Sequence, residues 1–252
     1  MLTANTILPK EEIKKVVVES FNTDFLRRLN YETLGKDILN CAEDHANKRG
    51  FGVDDVTPQN HAWVLSRLVI EMKEMPKMFT EFEITTWIEC VYRLFTNRNF
   101  EIKEKDGKIL GYARSIWAMI DRKSRQPIEL EKIYGNTLNT YADKDRLCPI
   151  PPQTRLRPLK DVTCEKEYQI VASDIDYNNH VNSIKYIKQM YDMFSVDYYL
   201  QHPIKRIEVA YINESKFGDT LRHYKKEIEE GKYEIEIRSQ KDEIVVRGMI
   251  CF

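Results

Sequence analysis

The densest run of side chains able to do chemistry is Ser173 to Tyr186, SDIDYNNHVNSIKY, in which Asp174, Asp176, Asn178, His180 and Asn182 occupy alternate positions. In extended chain this alternation points all five side chains to one side, so a polar cluster is expected just ahead of a helix. Aspartate and asparagine favour helix caps and turns, which accounts for any one of these residues, but a cap needs one polar side chain rather than five. Calcium is a rival, because Asp174, Asp176 and Asn178 match the first three side-chain ligands of an EF-hand loop. The sixth position is Asn179 rather than Gly and the twelfth is Lys185 rather than Glu, so that loop is not expected. Zinc would need further His or Cys at ligand spacing, and none lies nearby. The expectation is a site without metal or organic cofactor.

The elements that must hold this run can be read from periodicity. Ile184, Ile187, Met190, Tyr191 and Phe194 recur at helical spacing and predict one helix over Val181 to Tyr199. A second helix is predicted over Tyr31 to Lys48, stopping before Gly50. Strict alternation predicts strands: Tyr233, Ile235 and Ile237 against Glu234, Glu236 and Arg238, with the charged face in solvent, and Phe82, Ile84 and Thr86 against Glu81 and Glu83. Phe100 and Ile102 alternate in the same way before the hairpin dipeptide Asp106-Gly107. Between Leu138 and Lys160 the pattern lapses, with Pro149, Pro151, Pro152 and Pro158 close together, which reads as a surface linker. The two sides of this linker share an order of strand, long helix, then several strands. Phe21-Asn-Thr-Asp24 aligns with Val171-Ala-Ser-Asp174 at an offset of 150, and Phe100 and Ile102 align with Ile235 and Ile237 at 135. A sheet curled around a helix, twice, is the architecture this predicts. The expected division is a first unit over 1–137, a linker over 138–160 and a second unit over 161–252.

Read as D-x-D-x-N-x-H-V-N-x-x-x-Y from Asp174 to Tyr186, the polar run resembles the signature of the acyl-acyl-carrier-protein thioesterases of plants and bacteria. Arg114-Ser-Ile-Trp117-Ala-Met and the Trp63 to Ile70 strand also resemble family segments, so the likeness covers most of the chain. It implies an α+β fold of two tandem hotdog domains, each an antiparallel sheet wrapped around one long helix, forming a pseudo-dimer. It further implies a Glu-Cys pair 34 residues after the histidine. Glu214 stands at that place, while Ser215 replaces the cysteine. The serine disfavours a Cys-His mechanism here and favours one based on a carboxylate. On the family's pattern the catalytic residues are Asp176, Asn178, His180 and Glu214 in the second domain, and the first domain holds the acyl chain.

Thioester hydrolysis needs an attacking water or carboxylate, a group that polarises the carbonyl oxygen and a proton for the departing thiol. Glu214 would act as general base or nucleophile, His180 would orient or share the proton, and Asn178 would position water or substrate. Asp176 would hold Asn178 or His180. The carbonyl oxygen is expected at the positive start of the helix, beside the backbone of His180 or Val181. Carried through the repeat offsets, Asp176, Asn178 and His180 fall on Leu26, Arg28 and Asn30, and Glu214 on about Met75, so the first unit is expected to have lost every candidate. Trp63, Leu65, Met72, Met75, Met78, Phe79, Trp87 and Trp117 are candidate walls of an acyl tunnel.

Composition bounds the rest. The 252 residues are 42% hydrophobic and 31% charged, a globular mixture, and no apolar run approaches the ~18 residues of a membrane span, so no membrane insertion is expected. Five scattered cysteines without a C-x-x-C pair, and an opening stretch without an export signal, predict a reducing, cytoplasmic setting. The net charge of −1 disfavours nucleic acid as a partner. An acidic acyl carrier protein is the expected partner, met by a local basic patch for which Arg155, Arg157, Lys160, Lys185 and Lys188 are candidates. Association into a homo-oligomer stays open. The alternatives are an acyl-coenzyme A thioesterase using the same site, or a non-catalytic acyl-binding protein.

Overall fold

The structure is a computed structural model that describes residues 8–252; the first seven residues of the opening stretch lie outside the described part. The first half contributes β1 (Glu11–Val17), α1 (Tyr31–Asn47), α2 (Val53–Val56), β2 (His61–Met72), β3 (Glu81–Val91), β4 (Phe95–Glu104), β5 (Ile109–Asp121), α3 (Leu130–Tyr134) and α4 (Thr137–Thr140). The second contributes β6 (Lys166–Gln169), α5 (Ser183–Tyr191), α6 (Val196–Gln201), β7 (Arg206–Tyr211), β8 (Thr220–Glu229), β9 (Lys232–Ser239) and β10 (Ile244–Cys251). All ten strands form one sheet in the order β1-β3-β4-β5-β2-β7-β10-β9-β8-β6, antiparallel throughout. That order is a palindrome. The halves meet at the β2–β7 pair, where Val69 faces Glu208, and each wraps its strands around its own helix. This is the expected α+β architecture of two tandem hotdog units.

Both helices start at an asparagine. Asn30 accepts from the Thr33 N–H at 2.8 Å and Asn182 from the Ile184 N–H at 3.0 Å, satisfying donors that a helix start leaves free. Leu34, Ile38, Cys41, Ala42, His45 and Ala46 of α1 are buried at i, i+4, i+7 spacing against the sheet, and Ile184, Ile187 and Met190 of α5 do the same. The predicted helix over 181–199 divides in two. The Ser195 hydroxyl accepts from the Tyr198 N–H and caps α6, while Phe194 packs edge-on against Tyr233 and Phe252, 5.0 Å from each ring. A cap and an aromatic cluster thus outweigh continued helix.

Structure also revises the repeat register. The bridges Thr23–Leu29 and Ile175–Val181, the left-handed residues Arg27 and Asn179, and the caps Asn30 and Asn182 all lie 152 positions apart (175 − 23, 181 − 29, 179 − 27, 182 − 30). Near the turns the offset is therefore 152 rather than 150, and the counterparts of Asp176, Asn178 and His180 are Asp24, Leu26 and Arg28. Asp24 is retained, not lost: its Oδ1 accepts from the Leu26 and Arg28 N–H groups, as Asp176 Oδ1 accepts from Asn178 at 2.8 Å and His180 at 3.5 Å.

The charged face of β9 is not in solvent. Glu236 is fully buried, accepting from the Leu159 N–H at 3.2 Å and pairing with Arg238 and Arg247. On β7, beyond the intervening β10, Glu208 is equally buried and accepts from the N–H and hydroxyl of Thr154. The chain expected to be a linker therefore lies across the outer face of the sheet, fastened by two carboxylates. Its first residues are not linker-like, because Leu138 belongs to α4 and is buried with Phe51 and Ile88.

Candidate active site

The middle of the motif, Asp176 to His180, is a tight turn. Asp176 N–H donates to the His180 carbonyl at 2.9 Å, Asn179 N–H donates back to the Asp176 carbonyl, and Asn179 takes φ +64°, a conformation asparagine tolerates. This turn scatters the five polar side chains that extended chain would have aligned. Asp174, 5% exposed, accepts from the Tyr168 hydroxyl and the Val171 N–H, so it braces the fold away from the cluster. Asn182 caps α5. Asp176 acts on Asn178 and His180 through their backbone N–H groups and not through their side chains.

The remaining residues converge. Asp176, Asn178, His180 and Glu214 all border one cleft of about 470 Å³. His180 Nε2 lies 3.2 Å from Glu214 Oε2. What brings them together is a backbone bond: Val181 N–H donates to the Ser215 carbonyl at 2.9 Å, laying the Glu214 loop against the turn. That bond also corrects the expected carbonyl-oxygen site. The Val181 N–H is occupied and the His180 N–H is turned to Asp176, whereas the N–H of Ser183, the first residue of α5, has no acceptor among the described residues. Ser215 is 3% exposed.

Sequence reasoning missed Arg125. Its guanidinium donates to Glu214 Oε1, so one carboxylate is gripped at both oxygens, by Arg125 of the first half and His180 of the second. Arg125 sits in the turn after β5, itself knotted by Asp121, whose Oδ1 accepts from the N–H groups of Lys123 and Ser124. No spacing rule links residues 89 apart; the only sequence signal was a basic turn, Arg122 to Arg125, at a strand end.

Away from this mouth the cleft runs along α1, lined by Ala46, Phe51, Leu65, Ile88, Trp117 and Leu138 together with the polar Asn40, Glu43, Thr96 and Arg98. Of the candidate tunnel walls, Trp63, Leu65 and Trp117 line it. Met72, Met75 and Trp87 are buried in the surrounding core, and Phe79 is 70% exposed. The wall includes one buried cation, Arg98, donating to the Thr86 hydroxyl and to His45 Nδ1. Burial lowers the Arg98 guanidinium to about 10. Burial, with Arg98 and Arg49 beside it, pushes His45 down to about 2; its Nε2–H donates to the Lys10 carbonyl.

Comparisons with known proteins identify the family of the chain. The family model for the acyl-ACP thioesterase N-terminal domain matches residues 11–136, and that for the C-terminal domain matches residues 158–252. A crystal structure of an acyl-ACP thioesterase from Bacteroides thetaiotaomicron is 40% identical, with a TM-score of 0.90 over 96% of this chain and 98% of that one. The 12:0-ACP thioesterase from Umbellularia californica shares the fold, with a TM-score of 0.86 at 16% identity over 98% of each chain. Among curated relatives, the chloroplastic oleoyl-acyl carrier protein thioesterase 2 of Arabidopsis thaliana is 23% identical over 228 residues, 82% of this chain. The chain spans about 60% of the length of that relative. The chain belongs to the acyl-ACP thioesterase family.

Proposed function

We propose that this protein hydrolyses the thioester of an acyl chain borne by acyl carrier protein and releases a free fatty acid. The observation that carries the reading is the Glu214–His180 pair, 3.2 Å apart, on a cleft that also offers a group of apolar side chains, Phe51, Leu65, Ile88, Trp117 and Leu138. The acyl chain would lie under α1, leaving the thioester at the pair. Glu214 takes a proton from water as the water oxygen attacks the carbonyl carbon. The thiolate that then leaves takes that proton, with His180 sharing the transfer. Asn178 borders the same cleft and is suited to hold the water.

An acidic carrier calls for basic residues around the mouth. Lys185 and Lys188, two of the expected contacts, are engaged with Glu32 at 2.6 Å and Asp192 at 3.1 Å. Arg155, Arg157 and Lys160 ride on the strap across the outer face of the sheet, whereas Lys36, Arg122 and Arg125 border the cleft. Of these, Lys36 and Arg122 are the better docking candidates, since Arg125 is held by Glu214.

Glu214→Gln keeps the shape and removes the base. Release of free thiol from acyl carrier protein loaded with one acyl chain should fall by roughly 10² or more. A folded variant that retains the parental rate would sink the assignment. The same chain offered on coenzyme A tests the carrier, and a strong preference for coenzyme A would replace acyl carrier protein as substrate.

A further inference from the structure

We propose that the acyl chain this protein takes carries an acceptor oxygen, as a hydroxyl, oxo or carboxyl group, which Arg98 binds inside the cleft with Thr96 beside it. The proposal rests on the hydrolase reading above and adds to it the class of acyl group that the cleft selects.

Arg98 lines the cleft and is 5% exposed, yet no carboxylate pairs with it among the described residues. The other buried arginines are matched. Arg49, 7% exposed, meets Glu12 at 3.1 Å, and Arg206, 9% exposed, meets Glu71 at 2.6 Å and Glu208 at 2.7 Å. Arg98 instead donates to two neutral acceptors, the Thr86 hydroxyl at 3.2 Å and His45 Nδ1 at 3.3 Å. Neither partner brings a negative charge. The guanidinium itself stays charged at neutral pH, since burial lowers it only to about 10. A buried charge without a counter-charge is costly, so its presence on the wall of a cleft calls for a compensating group.

Strand pairing shows where that group would stand. Thr96 and Arg98 are two residues apart on β4 and share a face. Across the sheet on that face, Arg98 lies opposite Ile88 of β3 and Thr96 opposite Trp117 of β5. All four residues line the cleft, and Trp117 is only half-buried, so open space reaches this row. Thr96 is 4% exposed, and its hydroxyl makes no hydrogen bond among the described residues.

A guanidinium offers donors and no acceptor, so its ligand must present an acceptor. A plain alkyl chain presents none and would leave the charge both stripped of water and unmatched. An oxygen on the chain accepts from Arg98 and from the Thr96 hydroxyl, and hydrogen bonds assisted by a charge are the stronger kind. Ile88 and Trp117 would then pack against the carbons on either side of that oxygen.

The test compares kcat/KM on acyl carrier protein loaded with chains of one length. The chains are unsubstituted, or bear a hydroxyl or oxo group at successive carbons, or end in a carboxyl. The parent should favour at least one oxygenated chain over the unsubstituted one by roughly tenfold or more, the scale of a hydrogen bond to a charged group. The arm that shows the preference identifies the oxygen. Arg98→Met keeps an unbranched side chain and removes every donor, so the ratio should come to within about twofold of unity. Thr96→Val removes a hydroxyl that has no partner to lose. It should lower the ratio several-fold at an unchanged melting temperature, and it decides the matter if Arg98→Met does not fold. A parent that treats all the chains alike or prefers the unsubstituted one overturns the proposal, as does a ratio that survives Arg98→Met. If the unsubstituted chain is then still hydrolysed, and Glu214→Gln abolishes that activity, only this proposal fails. A parent inactive on every chain overturns the hydrolase reading, and this proposal with it.

Discussion

Glu214 shows how a surface-like residue becomes a candidate base: its two oxygens are engaged by Arg125 and by His180 from opposite halves. His180 and Glu214 were legible in the sequence, one from its polar run and the other from its family spacing. Arg125 was not, because nothing local ties it to Glu214. The buried histidines carry a separate expectation. His45 is lowered to about 2 and His223 to about 4, in both cases chiefly by burial, so both are neutral in the fold and titrate near 6.5 when unfolded. A depressed folded value means that their stabilisation is full above pH 6.5 and is lost as pH falls below it. Between pH 6.5 and 4, unfolding free energy should fall by about 1.4 kcal/mol per pH unit for each histidine. Urea titrations across that range should show this slope, and His45→Gln should remove about half of it; an unchanged slope would refute the assignment to His45.

Elements were easier to recognise than their surroundings. Alternation placed Ile235 and Ile237 on the core side of β9, and both are buried. It also turned Glu236 toward solvent, where the strap covers it instead, since a sequence periodicity reports which residues share a face but not what lies against that face. Glu236→Ala would strand Arg238, Arg247 and the Leu159 N–H without their carboxylate. Denaturant unfolding should show a loss of about 3 kcal/mol, the scale for breaking a buried pair. Glu230→Ala, exposed in the next turn, should stay within about 0.5 kcal/mol of the parent. Equal effects at the two sites would mean that the strap is not held as described. The split of the predicted 181–199 helix has the same origin: Phe194 fits the helical period, but rings distant in sequence claim it.

The whole molecule is a near-symmetric pair made unequal by one helix. α1 runs 17 residues and α5 only 9, and the extra turns of α1, with Phe51 and Val56 beyond them, build a second apolar cluster with Ile88, Met119 and Leu138. The cleft reaches that cluster, so the proposed function would put the acyl chain against the first half and the thioester at the second. Filling the inner end tests this division. Ala46→Phe should raise KM for long acyl chains several-fold while leaving short chains near parental values, measured over a series on acyl carrier protein; a uniform loss would contradict it. By itself the sequence determined the repeated strand–helix–strand order, the polar run ahead of α5 and, through the family spacing, its partner glutamate, because these depend on near neighbours or on a fixed spacing. Only the tertiary structure decided the 152-residue register, the buried strap, the polar turn that scatters the motif's side chains and the Arg125 grip. Each of those depends on which groups distant in sequence the ten-stranded sheet brings into contact.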